Sequence, residues 1–342
     1  MRFPEFTEEW NFKALDTLAP NISAGKDYAN EGNYKLYGST GVIGTTDKPS
    51  YKGEILLVAR VGANAGYLQY VNGELGVTDN TLVVNAHDNN RYIYYYLQHY
   101  NLNRLVFGSG QPLITGGMLK KVPIGISNDC AEKNKIVKLL SLLDARIATQ
   151  NKIIEQLQSL IKGIYDKTFA NFSKYQTLSA ICKIQKGQQI NGEELSEFGE
   201  YYVMNGGIEP SGYYDKYNTI PNTISISEGG NSCGYVQFNT VPFWSGGHCY
   251  TIQCISPEYN ILFVYHYLKS KEWEIMALRI GSGLPNIQKK DLEKFPIPVL
   301  SLETQISIVN GINKIETKLK QEKDILSAYQ TQKAYLLRNL FI

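Results

Sequence analysis

Residues 108–124 read GSGQPLITGGMLKKVPI, and residues 281–297 read GSGLPNIQKKDLEKFPI. At a constant offset of 173 the stretches share the GSG step, Pro112 with Pro285, Ile114 with Ile287, Leu119 with Leu292, Lys121 with Lys294, and the Pro-Ile pairs 123–124 and 296–297. Upstream, GANAGYLQY at 62–70 parallels GNSCGYVQF at 230–238 at an offset of 168, a difference that small loop changes between duplicated units produce. Self-similarity at a long fixed period means that the chain holds two copies of one plan.

A heptad pattern follows each copy. Ile136, Leu140, Leu143, Ile147, Gln150, Ile154, Leu157, Ile161 and Ile164 recur at alternating steps of four and three, with Gln150 the one polar member. The second copy repeats this as Ile308, Ile312, Ile315, Leu319, Glu322, Leu326, Tyr329, Leu336 and Leu340, with Lys333 as a further polar interruption. This is the seam of a coiled coil. It predicts two long helices of about 35 to 40 residues, each roughly 58 Å long at 1.5 Å per residue. A narrow apolar stripe cannot hold such a helix in water by itself, so the two seams are expected to bury each other. Residues 171–177 reach at most about 25 Å when extended, too short to return along the first helix, so the second helix must run back antiparallel. The expected fold is α+β: two globular units separated by two long helices in an antiparallel pair, a dumbbell with a pseudo-two-fold axis. The expected boundaries are 1–130 and 173–302 for the globular units, and 131–172 and 303–342 for the helices. Gln150 and Glu322 share one seam position, where they either restrict register or reach to solvent at the edge.

The globular parts carry short strand-like runs at 54–61, 81–85, 223–227 and 250–254, with apolar helical segments at 92–105 and 262–278. The 342 residues include 43% hydrophobic and 19% charged, enough to bury a sizeable core, and no apolar stretch approaches a membrane span. The start MRFPEFTEEW has no apolar run behind a basic start and so reads as unsecreted, and five cysteines without a CxxC pair read as free thiols of a cytoplasmic protein. His248, Cys249 and Cys254 do not form a metal site by spacing, because adjacent residues rarely converge on one ion.

Most catalytic signatures are absent. The sequence has no Gly-Lys-Ser/Thr phosphate loop, no HExxH, and no Asn-Pro or Asp-Pro pair from which an amino-methyltransferase builds its base-holding strip. Each GSG step has two glycines where a dinucleotide fingerprint needs three, and a proline where the helix should open. His99 and His266 lie in apolar helical stretches and read as structural. The expectation is a non-enzyme without cofactor or metal. Net charge is only +2, and its distribution is uneven. Residues 1–130 carry 11 basic and 12 acidic groups and residues 173–302 carry 10 and 12, whereas the helical segments carry 7 against 4 and 6 against 4. The globular units therefore gain little sequence-independent affinity for phosphates.

Two variable α+β units, each ending in GSGxP and a Lys-x-Pro-Ile step before a heptad helix, with EILLVARVGANAG (54–66) early in the first, resemble the specificity (S) subunit of type I restriction-modification systems. The resemblance spans the chain. In the first copy ISNDCAEKNKIV (126–137) stands where the family has a Pro-x-x-x-Gln lead-in, which leaves the first helix's start open. The resemblance implies that each globular unit is a target recognition domain reading one half of a bipartite, asymmetric site in double-stranded DNA. It also implies that the paired helices fix the gap, that two methyltransferase (M) subunits dock and supply S-adenosylmethionine chemistry, and that restriction (R) subunits can join. A competing reading is a non-DNA coiled-coil scaffold holding two protein-binding modules apart. Divergence between equivalent loops beside a retained frame favours readers of different targets.

Base-reading residues are not transferable from the family. The candidates are polar and aromatic loop residues at matched positions: Ser39, Thr40, Arg60, Asn64, Tyr67 and Asn80 in the first unit, and Asn205, Tyr213, Tyr214, Glu228, Asn231, Tyr235 and His248 in the second. Arg suits guanine, Asn suits adenine, and Glu can accept from cytosine. Asn64 and Asn231, close to glycines, also read as turn formers. Tyr92, Tyr94, Tyr95, Tyr96 and Tyr100 fall on one helical segment and read mostly as core, whereas Tyr213, Tyr214 and Tyr217 fall in a predicted loop.

Overall fold

The computed structural model describes residues 2–107, 112–281, 283 and 285–341. Gly108, Ser109, Gly110 and Gln111 of the first repeat step, and Ser282 and Leu284 of the second, lie outside the described residues. The chain divides into two units, Met1–Asn151 with Asp324–Ile342, and Lys152–Lys323. Each is mixed α+β. The long helices are Cys130–Thr168 and Leu302–Leu340, of 39 residues each, and the unit borders fall inside them. Among the described residues no helix is long and apolar enough to cross a membrane.

The first unit is built on a six-stranded sheet in the order Ser23–Ala24, Thr81–Val84, Tyr51–Ala59, Leu68–Val77, Tyr34–Gly38, Gly41–Thr46. Its central strand carries the run Ile55–Ala59, buried throughout, because both faces of the sheet are covered. Leu56 and Val58 pack with Leu82, Val84, Tyr92, Ile93 and Leu97 on one face. Ile55 and Leu57 pack with Val71, Leu75, Val77 and Val83 on the other, as the two-residue period of a strand requires. The strand stops at Ala59, short of the expected Val61, because Gly62 turns with φ +81° and Val61 instead bridges Leu113. The helical segment expected over 92–105 is two pieces. Helix Asn90–Tyr100 ends at Asn101 in the left-handed conformation, φ +59°, and a 3-10 turn follows over Leu102–Leu105.

The second unit keeps the first four strands of that order as Lys183–Lys186, Cys249–Gln253, Thr223–Ser227, Val236–Asn239. A separate three-stranded sheet is ordered Tyr213–Tyr214, Tyr201–Met204, Trp244–Ser245. Tyr213 and Tyr214 therefore lie in a short edge strand paired with Tyr202 and Tyr201, not in a free loop, while Tyr217 packs on Tyr201 at 5.0 Å between ring centroids. The segment expected over 262–278 breaks at Lys271 into helices Ile261–Ser270 and Glu272–Ala277.

In each unit parts of the two long helices meet, and in the first their contacts run antiparallel. In the first, Asp144 meets Lys333 at 2.6 Å and Arg146 meets Tyr329 at 3.0 Å, while Ile136 and Leu140 share a core with Leu336 and Leu340. In the second, Tyr165 donates to Glu316 at 3.3 Å and Ile164 shares a core with Ile308 and Ile312. Of the seam positions, Ile136, Leu140, Leu143, Gln150, Ile154, Ile312, Glu322 and Leu340 are buried; Ile147, Leu157, Ile161, Ile164, Ile308, Ile315, Leu319, Leu326, Tyr329 and Leu336 are half-buried. Both helix starts bury a polar side chain: Glu132 accepts from Arg2 at 2.6 and 2.8 Å and from Trp10 Nε1 at 3.0 Å. Gln305 donates to the carbonyls of Glu258 and Leu300, both at 3.0 Å, and accepts from the Asn260 amide at 2.9 Å.

Candidate nucleic-acid interface

In the first unit the candidate residues gather where the central strand ends. Arg60 follows strand Tyr51–Ala59, and Asn80 precedes strand Thr81–Val84; the Arg60 amide donates to the Asn80 carbonyl at 2.9 Å. Ser39 and Thr40 form the turn between strands Tyr34–Gly38 and Gly41–Thr46, and Ser39 Oγ also donates to the Asn80 carbonyl at 3.2 Å. Gln69, which the sequence did not single out, fixes that turn by donating to the carbonyls of Gly38 and Ser39 at 3.0 and 3.2 Å. Thr40 and Asn80 are exposed; Arg60 is half-buried, with its Nε covered and without a hydrogen-bond partner among the described residues. Asn64 and Tyr67 sit apart on the adjoining turn, where the Tyr67 amide donates to the Asn64 carbonyl at 2.9 Å and both line a cleft with Gln98, Asn103 and Lys333.

The second unit builds the same socket. Four backbone bonds recur at equivalent positions. The Glu228 amide donates to the His248 carbonyl at 2.9 Å, as Arg60 does to Asn80. Ile287 donates to the Glu228 carbonyl and Ile114 to the Arg60 carbonyl, both at 2.8 Å. Gly230 donates to Pro285 at 3.0 Å and Gly62 to Pro112 at 2.9 Å, so the proline of each repeat step closes the turn after its strand. Gly234 donates to Ser227 at 2.9 Å and Gly66 to Ala59 at 2.8 Å. Both of these last glycines have positive φ, +88° and +90°, and a Cβ would stand 2.9 Å from Met276 Cα or 3.1 Å from Asn103 Oδ1, which is why the duplicated motif ends in glycine.

What the two sockets display differs. Arg60 and Glu228 are equivalent, as are Asn80 and His248. Glu228 is buried, and its Oε1 accepts from Lys186 Nζ at 2.6 Å and from Tyr250 Oη at 3.0 Å. Its Oε2 has no hydrogen bond among the described residues and lies 3.6 Å from His248 Nδ1. Burial pushes the Tyr250 phenol well above its usual range, and the Glu228 carboxylate adds to this. The exposed members are the Lys186 and His248 side chains, at 51% and 62%. Asn205 Oδ1 accepts from the His248 amide at 3.1 Å and joins this group. Asn231 is exposed on the Gly230–Ser232 turn. Tyr235 turns to the helix side, with Lys269 Nζ 4.0 Å above its ring. Tyr214 packs edge-on against Trp244 at 5.1 Å, beside the half-buried Tyr213.

Lys186 and Tyr250 are the residues that sequence reasoning missed. Their place appears only in the fold, where the amides of Gly25 and Gly187 donate to the carbonyls of Thr81 and Cys249 at 3.0 and 2.8 Å, which sets Lys186 against Ala24. An alanine opposite a lysine marks a position where the copies diverge.

The family model described as "Type I restriction modification DNA specificity domain" matches residues 7–159 and again 173–328. The chain belongs to this family. A type I specificity subunit of Mycoplasma pneumoniae is 32% identical over 176 residues, covering 51% of this chain and 46% of that protein. A second, from Mycoplasma genitalium, is 35% identical over 152 residues, covering 44% and 39%. The aligned stretches thus span less than half the length of these two relatives. A type I specificity subunit of Haemophilus influenzae is 23% identical over 374 residues, covering 96% of this chain and 93% of that one. Among solved structures, a type I restriction-modification S subunit from M. genitalium matches with a TM-score of 0.74 at 22% identity, covering 100% of this chain and 99% of that one, a likeness of fold.

Proposed function

We propose that this chain is the DNA-reading subunit of a type I restriction-modification complex, each unit reading one half of a bipartite, asymmetric duplex site and the paired long helices setting the gap between the halves. The observation that carries this reading is the strand-end socket: one backbone frame built twice, displaying Ser39, Arg60 and Asn80 in one unit and Asn205, Lys186 and His248 in the other. Shared backbone bonds with unlike exposed donors are what two readers of different sequences require. Two half-site readers linked in one chain bind jointly only at a matching spacing, and linkage raises the effective concentration of the second contact.

On this reading the chain performs no chemistry. Two methyltransferase subunits bind it and transfer the methyl group of S-adenosylmethionine, restriction subunits join them, and the cofactors belong to those partners in the cytoplasm. The near balance of acidic and basic groups in the globular parts leaves much of the phosphate grip to the partners. The test is methylation of defined duplexes by the purified complex. A duplex with both half-sites at the native spacing should be methylated, one lengthened by three base pairs in the gap should not, and the chain alone with S-adenosylmethionine should transfer nothing. Equal methylation regardless of spacing, or transfer by the chain alone, would overturn the proposal.

A further inference from the structure

The position after the central strand, Arg60 in one unit and Glu228 in the other, carries opposite charges, and by residue type alone the two would favour guanine and cytosine. The geometry points to a different assignment, resting on the DNA-reading function proposed above: both sockets present cationic donors and both read guanine, Arg60 directly and Glu228 as a positioning residue that holds Lys186 and His248.

In the first unit, Arg60 has no carboxylate partner among the described residues, and its covered Nε has no hydrogen bond. Its backbone is pinned on both sides, the amide to Asn80 at 2.9 Å and the carbonyl to the Ile114 amide at 2.8 Å. With Nε covered, the base contact falls to the two terminal nitrogens, which bond no described residue; on a fixed backbone they match the O6 and N7 acceptors of guanine in a bidentate pair.

In the second unit the same backbone pinning holds Glu228, but its side chain is 8% exposed and both oxygens are covered by its own neighbours. Oε1 is occupied by Lys186 and Tyr250, and Oε2 faces the His248 ring. A carboxylate so enclosed cannot reach an amino group on a base edge. What reaches solvent is the far side of its partners, the Lys186 ammonium and the His248 imidazole, with Asn205 fixing the His248 backbone at 3.1 Å. An ammonium has three donors, and one spent on Glu228 leaves two for guanine O6 and N7. At the place of Lys186 the first unit has Ala24, so the cation arises from the strand end in one unit and from the neighbouring strand in the other.

The experiment compares methylomes of a host expressing the chain with its methyltransferase, in wild-type form and as Arg60→Ala, Lys186→Ala, Lys186→Arg and Glu228→Gln variants. Arg60→Ala should relax one guanine in one half-site by about tenfold or more and leave the other half-site unchanged. Lys186→Ala should relax one guanine in the other half-site, Glu228→Gln should relax that same guanine, and Lys186→Arg should retain it. Loss of a structural support would instead lower methylation at all sites without loosening a single base, so it moves a different readout. A cytosine fixed by Glu228, or uniform loss with unchanged motifs as phosphate contacts give, overturns the inference while leaving the DNA-reading function standing. If the wild-type chain directs no bipartite motif at all, the function itself fails and takes this inference with it.

Discussion

The strand ends at Arg60 and Glu228 are held by the same bonds and do opposite things with their charge. Arg60 commits its guanidinium to no partner among the described residues, whereas Glu228 is enclosed by Lys186, Tyr250 and His248. The starts of the two long helices repeat the contrast. Each helix start fully buries a polar side chain, Glu132 in one and Gln305 in the other, but the first is neutralised by Arg2 and the second satisfied by neutral backbone groups. Duplication thus preserves where the backbone goes, through bonds indifferent to side chain, and frees each copy to solve its buried polar positions separately.

That contrast can be broken or sharpened by paired substitutions. The largest effect is expected where the copies agree: Leu140→Ala and Ile312→Ala remove equivalent seam residues that are 0% and 2% exposed, and each should cost about 2–5 kcal/mol by chemical denaturation. A loss in one unit alone would show that the seams are not equivalent. Next, Arg2→Ala strips the main partner from the buried Glu132 carboxylate and should cost more than Gln305→Ala, which should cost about 1–2 kcal/mol. The two should differ in pH dependence. Burial acts to raise the Glu132 pKa, but the bonds from Arg2, Ser127 and Trp10 overcome it and hold the group below the usual carboxylate range. A depressed carboxyl pKa contributes stability that is present above the unfolded value of about 4.3 and is lost as pH falls through the folded one. The penalty of Arg2→Ala should therefore shrink as denaturation is repeated from pH 7 down to below 4, and that of Gln305→Ala should stay constant.

Smaller effects test the helix pairing within each unit. Tyr165→Phe removes the hydroxyl that bonds His266 at 2.9 Å and Glu316 at 3.3 Å, and should cost about 1 kcal/mol. Lys333→Ala removes a partly exposed pair with Asp144 and should lower the denaturation midpoint by less than about 1 kcal/mol equivalent.

The sequence made the frame legible because the frame is periodic. Heptad steps locate both long helices, and the duplicated glycines and prolines mark the turn after each central strand, where φ must be positive or a carbonyl must be free to accept. Arg60, Asn80, Glu228 and His248 were recoverable as candidates because they flank those markers. Lys186 was not, since its partner Glu228 lies 42 positions away and only the sheet order brings their strands to a common neighbour. Tyr213 and Tyr214 misled in the other direction: Gly, Pro and Asn around them signal a loop, but pairing with Tyr201 and Tyr202 makes a short strand that local composition cannot announce. The burial of Glu228 was equally hidden, because residue type says nothing about which side of a strand end is covered.

The most direct test of the whole account is methylome sequencing of a host carrying this chain with its methyltransferase against the same host without the chain. The account predicts a chain-dependent motif of two unlike half-sites separated by a fixed unread gap. A single uninterrupted motif, two identical halves, or methylation that does not change when the chain is removed would contradict it.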